Sequence, residues 1–127
     1  MKFAVLTALV AATLSAPVLA ADWVLVGQGA ASNAKFYIDR QSIRTMPNGY
    51  KRAWMRTIFP QPTNLGWSVF RVLKECDCSG GRFRYLQQTY LRGEEIITTV
   101  NTVSEWSFVE PEAVDEATLN FVCYGKR

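Results

Sequence analysis

Histidine is absent from the 127-residue chain. That removes histidine-based triads, histidine-ligated metals and the usual proton shuttle near neutral pH. Cysteine is scarce: three residues, arranged as Cys76-x-Cys78 with Cys123 far downstream. The spacing lacks both the C-x-x-C of thioredoxin-like redox sites and the second ligand pair of a zinc site. No G-x-S-x-G surrounds Ser68, Ser79, Ser104 or Ser107, so no serine-nucleophile motif is present. Charge is modest, with 14 Lys/Arg against 11 Asp/Glu. A mild positive balance favours solubility without giving the footprint of bulk nucleic-acid binding. Two of the acids flank a turn (Glu94, Glu95) and four stand around a helix entry (Glu110, Glu112, Asp115, Glu116), and no two of them stand out as a general acid and base. Beyond the first twenty residues no apolar run is long enough to span a membrane. The composition therefore points to a non-enzyme, without cofactor or metal.

What is present first is an export signal. Lys2 supplies a short positive segment, and Phe3 to Val10 with the Ala/Thr/Leu run behind it an apolar one. Val18-Leu19-Ala20 then offers a small residue at the cut. Cleavage after Ala20 is expected, with Ala21 as the alternative site. An uncleaved anchor is disfavoured because the apolar core is short of the about 18–20 residues a spanning helix needs. No cysteine stands near the cut, so a lipidated N-terminus is not expected. Residues 1–20 are read as a signal peptide and residues 21–127 as one domain with one core, exported to the periplasm, the cell surface or the medium.

Aromatics make up 13 % of the chain, enough to build that core. Trp23–Gln28 reads as a first strand, apolar nearly throughout and expected to be buried. Ala34–Asp39 reads as a second, followed by one helical turn at Arg40–Arg44 with Asp39 as N-cap. After the turn at Pro47-Asn48-Gly49, Tyr50–Phe59 is the clearest strand, and the prolines at 60 and 62 end it. Trp67–Cys76 and Arg82–Leu91 flank a tight Ser79-Gly80-Gly81 turn. The second is expected to alternate throughout, with Phe83, Tyr85, Gln87, Thr89 and Leu91 on one face and Arg82, Arg84, Leu86, Gln88 and Tyr90 on the other. Arg92-Gly93-Glu94 then turns into Glu95–Val100, so that the hairpins form a meander. Trp106–Val109 reads as a short edge strand or a packed loop. Pro111 is expected to open a helix with Val114, Ala117, Phe121 and Val122 as its buried stripe, stopped at Gly125. The expected fold is α+β: an antiparallel meander of about six strands with a C-terminal helix packed on it.

In an oxidising compartment three cysteines give one disulfide and one leftover thiol. Cys76 and Cys78 are poorly placed to bridge each other. Cys78–Cys123 is the expected pair, leaving Cys76 free; Cys76–Cys123 stays open. The bond would close a loop of roughly 45 residues and contribute about 3–4 kcal/mol. Cys76, if exposed, could link two copies as a dimer, and its own contribution to stability is expected to be small. Arg52, Arg56, Arg71, Arg82 and Arg84 lie on the middle strands with Tyr50, Trp54 and Tyr90 among them. Arginine with aromatics suits a protein contact surface. The plainer reading is a solvated outer face whose arginine stems cover apolar surface. The four tryptophans read as core and edge packing.

Several short motifs occur in a particular order. Trp23 comes first, then Phe36-Tyr37-Ile38-Asp39 with Ser42-Ile43, a strand containing Trp54, and Glu75-x-Asp77-Cys78. Arg82-Phe83-Arg84-Tyr85-Leu86, Trp106 and a Pro111-led helix ending in Val122-Cys123 follow. In this order and spacing the chain resembles the surface-adhesin protein E family of Gram-negative bacteria over nearly all of residues 21–127. The resemblance implies a small antiparallel sheet with the C-terminal helix packed on it, and the Cys78–Cys123 bridge. It also implies a non-enzymatic exported protein; the family's best-known member is an outer-membrane lipoprotein that binds host cells and extracellular-matrix proteins. Two functions are expected from this: a protein-binding module for host matrix or cell-surface proteins, or an accessory protein of the periplasm that binds an envelope partner. In either, Arg52, Trp54, Arg56, Arg71, Arg82 and Arg84 are the candidate contact residues.

Overall fold

In the computed structural model of the protein, residues 20–126 are described. The signal-peptide reading of residues 1–20 falls, apart from Ala20, outside them. Alternating side chains and short polar turns produce a run of strands: β1 (Trp23–Gln28), β2 (Lys35–Asp39), β3 (Arg44–Thr45), β4 (Lys51–Ile58), β5 (Val69–Asp77), β6 (Arg82–Arg92), β7 (Glu95–Val100) and β8 (Ser107–Phe108). They form one antiparallel sheet in the order β1-β2-β4-β5-β6-β7, with β3 beside β4 and β8 beside β6. A single helix, α1 (Val114–Tyr124), follows. Six main strands in a meander and one terminal helix are the expected α+β fold; the two-residue strand β3 was not foreseen.

Local chemistry sets the connections. Asp39 caps the 3₁₀ turn Arg40–Ser42 by accepting from the Gln41 amide at 3.1 Å. The β5–β6 turn is organised by Asp77, whose carboxylate accepts from the Gly80 amide at 2.9 Å and the Ser79 hydroxyl at 3.2 Å. Gly81 closes it at φ 64°, in the left-handed region that glycine enters without steric cost.

The sheet has two unlike faces. On the helix face, Ile38, Ala53, Met55, Val72, Cys76 and Phe83 pack against Leu119, Phe121, Val122 and Cys123 of α1 as one buried core. Past the helix, Phe59, Trp67, Phe70, Tyr85 and Tyr90 continue that face as a chain of edge-to-face and tilted contacts, with ring centroids 5.1–6.2 Å apart. Lys74 also lies on this face, wholly buried beneath α1. Its ammonium donates to Thr118 Oγ1 at 3.0 Å, sits 3.3 Å from Asp115 and lies over the Phe83 ring at 4.0 Å.

The Cys78–Cys123 disulfide joins the end of β5 to the last turn of α1. Lys51 adds a second tie, donating to the Cys123 carbonyl at 3.2 Å, where a cation suits the negative end of the helix dipole. Cys76 is the free thiol and is fully buried. The condition for a dimer through Cys76, an exposed thiol, is therefore not met.

Four local expectations are corrected. β1 is an edge strand and not a buried one, and its Leu25 is 43 % exposed. The helix begins three residues after Pro111, because Glu110–Ala113 forms a separate turn in which Glu112 takes φ 65°. The buried stripe of α1 contains Phe121 and Val122 as expected, but with Thr118, Leu119 and Cys123; Val114 and Ala117 are half-buried. Finally, β6 does not alternate in one register. A bulge at Leu86 carries the ladder from Lys74–Tyr85 directly to Leu73–Gln87. Phe83, Tyr85, Gln88 and Tyr90 thus share the helix face, while Arg82, Arg84, Gln87, Thr89 and Leu91 share the other.

Candidate functional site: the arginine and aromatic face opposite the helix

The face away from α1 carries all six candidate contact residues. The ladders place Arg52, Trp54 and Arg56 of β4 across from Glu75, Leu73 and Arg71 of β5. Arg82 and Arg84 of β6 stand across from Asp77 and Glu75 on the other side of the same strand. Tyr90 does not belong among them; the Leu86 bulge puts it on the helix face. Of the tryptophans, only Trp67 packs as expected within the aromatic chain there.

At one end of this face every arginine is paired with an acid within the molecule, three arginines sharing two carboxylates. Glu75, 1 % exposed, accepts from Arg52 Nε at 2.7 Å with one carboxylate oxygen and from Arg84 at 2.7 and 2.9 Å with the other. Burial pulls the Glu75 carboxyl upward, but the Arg52 and Arg84 hydrogen bonds outweigh it and hold the group below the usual carboxylate range. Asp77 is likewise held low, by its 2.8 Å bond from Arg82 and by the Gly80 amide. Trp106 folds over these arginines, with its ring 4.4 Å from the Arg82 guanidinium and 4.3 Å from that of Arg84. Tyr50 meets the same indole edge-on at 5.2 Å. Such stacking fixes guanidinium planes that would otherwise be mobile.

At the other end the arginines have no acid partner among the described residues. Arg56 and Arg71 stand directly opposite each other on β4 and β5. Among the described residues neither forms an ion pair, and the buried Nε of Arg56 has no hydrogen-bond partner. Arg56 is instead held between aromatic rings, 4.5 Å from the Trp23 centroid and 5.3 Å from that of Tyr37. Trp23, Arg56, Ile58, Val69, Arg71, Leu91, Gly93 and Glu94 enclose a cavity of about 250 Å³. A second hollow of about 280 Å³ adjoins it, between Trp23, Asp39, Trp54 and Arg71.

Trp23, Tyr37 and Trp106 were not anticipated as part of this face. Trp23 and Tyr37 could have been found by pairing the alternation of β1 and β2 with that of β4. Nothing local in the sequence marks Trp106, which reaches the arginines through the loop before β8. Among the described residues no helix is long and apolar enough to cross a membrane.

No curated protein and no solved structure matches the chain. A family model, surface-adhesin protein E, matches residues 23–124. That span runs from the first residue of β1 to the last of α1 and so takes in both faces of the sheet and the disulfide. The chain belongs to the surface-adhesin protein E family.

Proposed function

We propose that the protein is an exported, non-enzymatic binding module of the adhesin type, with residues 1–20 removed and residues 21–127 acting as the domain. It docks a host matrix or cell-surface protein on the face formed by Arg52, Trp54, Arg56, Arg71, Arg82 and Arg84. The observation that carries this reading is the gathering of five arginines and three tryptophans on the one face that the helix leaves uncovered. Arginine and tryptophan are the side chains most often found at the energetic centres of protein interfaces. Glu75 and Asp77 are held ionised by their arginine partners, which keeps Arg52, Arg82 and Arg84 in fixed positions on this face.

The test has two steps. Intact native cells are probed with antibody before and after a non-penetrating protease, beside a periplasmic extract. The protein is then passed over immobilised matrix glycoproteins at increasing salt. Surface signal lost on shaving, with binding that weakens as salt rises, is expected. Protection until the outer membrane is opened would overturn the adhesin reading and leave a periplasmic accessory protein with an envelope partner.

A further inference from the structure

Two rungs of the sheet invite direct comparison. In the first, Arg52, Glu75 and Arg84 stand side by side on β4, β5 and β6, and the carboxylate sits between two guanidinium groups. In the second, Tyr37, Arg56, Arg71 and Thr89 occupy β2, β4, β5 and β6. Here two arginines are adjacent and the acid is missing. Like charges directly opposite each other on antiparallel strands are unfavourable, and a buried guanidinium N–H without an acceptor adds to that cost. The core lies on the opposite face; within the rung Arg56 is stacked by Trp23 and Tyr37 and Thr89 meets Thr99 Oγ1 at 3.4 Å, and none of these contacts supplies an anion.

We infer that the Arg56–Arg71 pair is a subsite for a single carboxylate presented by a partner protein, which plays between these arginines the part Glu75 plays between Arg52 and Arg84. The inference rests on the reading of this face as a contact surface and names what it contacts. The cavity of about 250 Å³ is smaller than the roughly 300–1,000 Å³ of small-molecule sites, and suits one side chain or a chain terminus. Ile58, Val69 and Leu91 line it beside the arginines and supply an apolar wall for the carbon atoms that carry the carboxylate. Trp23 and Tyr37 hold the Arg56 guanidinium in place from the free side, so that less side-chain freedom is lost on binding. Arginine forks match a carboxylate with paired hydrogen bonds, which makes such contacts both strong and directional. Glu94 also lines the cavity and pairs with no cation among the described residues, so it sets the strength of the site by opposing an incoming anion.

The experiment follows the Arg Nε–Hε signals of the oxidised protein by NMR. Three short peptides are titrated: acetyl-Gly-Phe with a free C-terminus, acetyl-Asp-Phe-amide, and acetyl-Gly-Phe-amide. The first two carry a carboxylate, on the terminus and on a side chain respectively, and whichever shifts the Arg56 and Arg71 signals identifies its source. The third should shift neither. Arg56→Gln and Arg71→Gln should each weaken the response roughly ten-fold or more, Glu94→Gln should strengthen it, and Arg44→Gln, elsewhere on the face, should leave it unchanged. Melting curves check that each variant is folded. No response of Arg56 and Arg71 to either carboxylate peptide at millimolar concentration would overturn the inference. An equal response to the amide peptide, or to sulfate at matched ionic strength, would also overturn it. Binding of matrix glycoprotein that survives both arginine substitutions would reject the subsite and keep the adhesin reading. A carboxylate response from a protein that binds no matrix glycoprotein would do the reverse.

Discussion

Glu75 Oε2 lies 2.7 Å from Arg52 Nε, and the two side chains differ sharply in their access to water: 1 % for the glutamate and 41 % for the arginine. Removing an arginine therefore costs far less than stranding the acid. Arg52→Ala or Arg84→Ala alone leaves Glu75 one partner and should cost about 1–2 kcal/mol. The double variant buries an unpaired carboxylate and should cost about 3–5 kcal/mol, more than the two singles together. Its pH dependence should reverse as well. In the wild type the Glu75 pKa is depressed, so its contribution is present above the unfolded value near 4.3 and is lost as pH falls through the folded value. In the double variant burial acts without its opponents and raises the pKa, so stability increases as pH falls. Urea melts between pH 3 and pH 7 would show the change of sign.

Loss of the Cys78–Cys123 bond should be severe. Cys78→Ser or Cys123→Ser releases a 45-residue separation and should cost about 3–4 kcal/mol. For a domain of this size that is a fall in Tm of roughly 12–30 °C. Cys76→Ser should not be silent, as the sequence alone suggested. Its site is fully buried, so the new hydroxyl costs about 1–3 kcal/mol unless it finds a partner. The native thiol should also be inert, since burial pushes its pKa up to about 11 and shields the sulfur. A thiol reagent should find no reactive group in the native protein and one after denaturation without reductant.

Lys74→Met should leave stability unchanged or raise it by up to about 2 kcal/mol. The buried ammonium carries a desolvation cost that a thioether side chain does not, and Asp115, at 43 % exposure, is left in water and not stranded. Burial lowers the Lys74 pKa despite the opposing pull of Asp115. In the interval between that lowered value and about 10.4, the unfolded state holds the extra proton, so this group makes stability rise with pH. Cys76 and Tyr85, pushed up to about 11 and about 12 by burial, act in the opposite direction above their ordinary values. The difference between wild-type and variant denaturation curves isolates the lysine, and a pH-independent difference would refute its assignment.

Glu112→Gly should stabilise the protein by about 0.5–1 kcal/mol. Pro111 and Glu112, with φ 65° at the latter, occupy the central positions of the turn before α1. The third position of a proline-led turn with positive φ ordinarily takes glycine or asparagine. Thermal melts of the variant beside Glu112→Asn, with a smaller gain expected, check this.

The strands, the Asp39 cap and the Ser-Gly-Gly turn were legible because each depends on residues near one another in sequence, whereas the Cys78–Cys123 pair, 45 residues apart, was legible because only three cysteines are present and the family resemblance implies that pairing. The arginines were legible as a group because β4 and β5 alternate regularly over most of their length. What escaped depends on the tertiary fold. Lys74 reads as an ordinary strand cation until the helix is laid over it. Trp106 reaches the arginines from the loop before β8. The exchange of faces along β6 requires knowing that Leu86 has no direct partner on β5.

That last residue has a consequence for how the chain can change length. Anywhere else in β6, inserting or deleting one residue turns every later side chain inside out, sending Thr89 and Leu91 toward the helix and Tyr90 toward the arginines. At position 86 the ladder already skips from Tyr85 to Gln87. Deleting Leu86 would therefore straighten the strand and leave all its neighbours facing as they do now. The bulge is the one point along this strand where heritable length variation can accumulate without scrambling the two surfaces it separates.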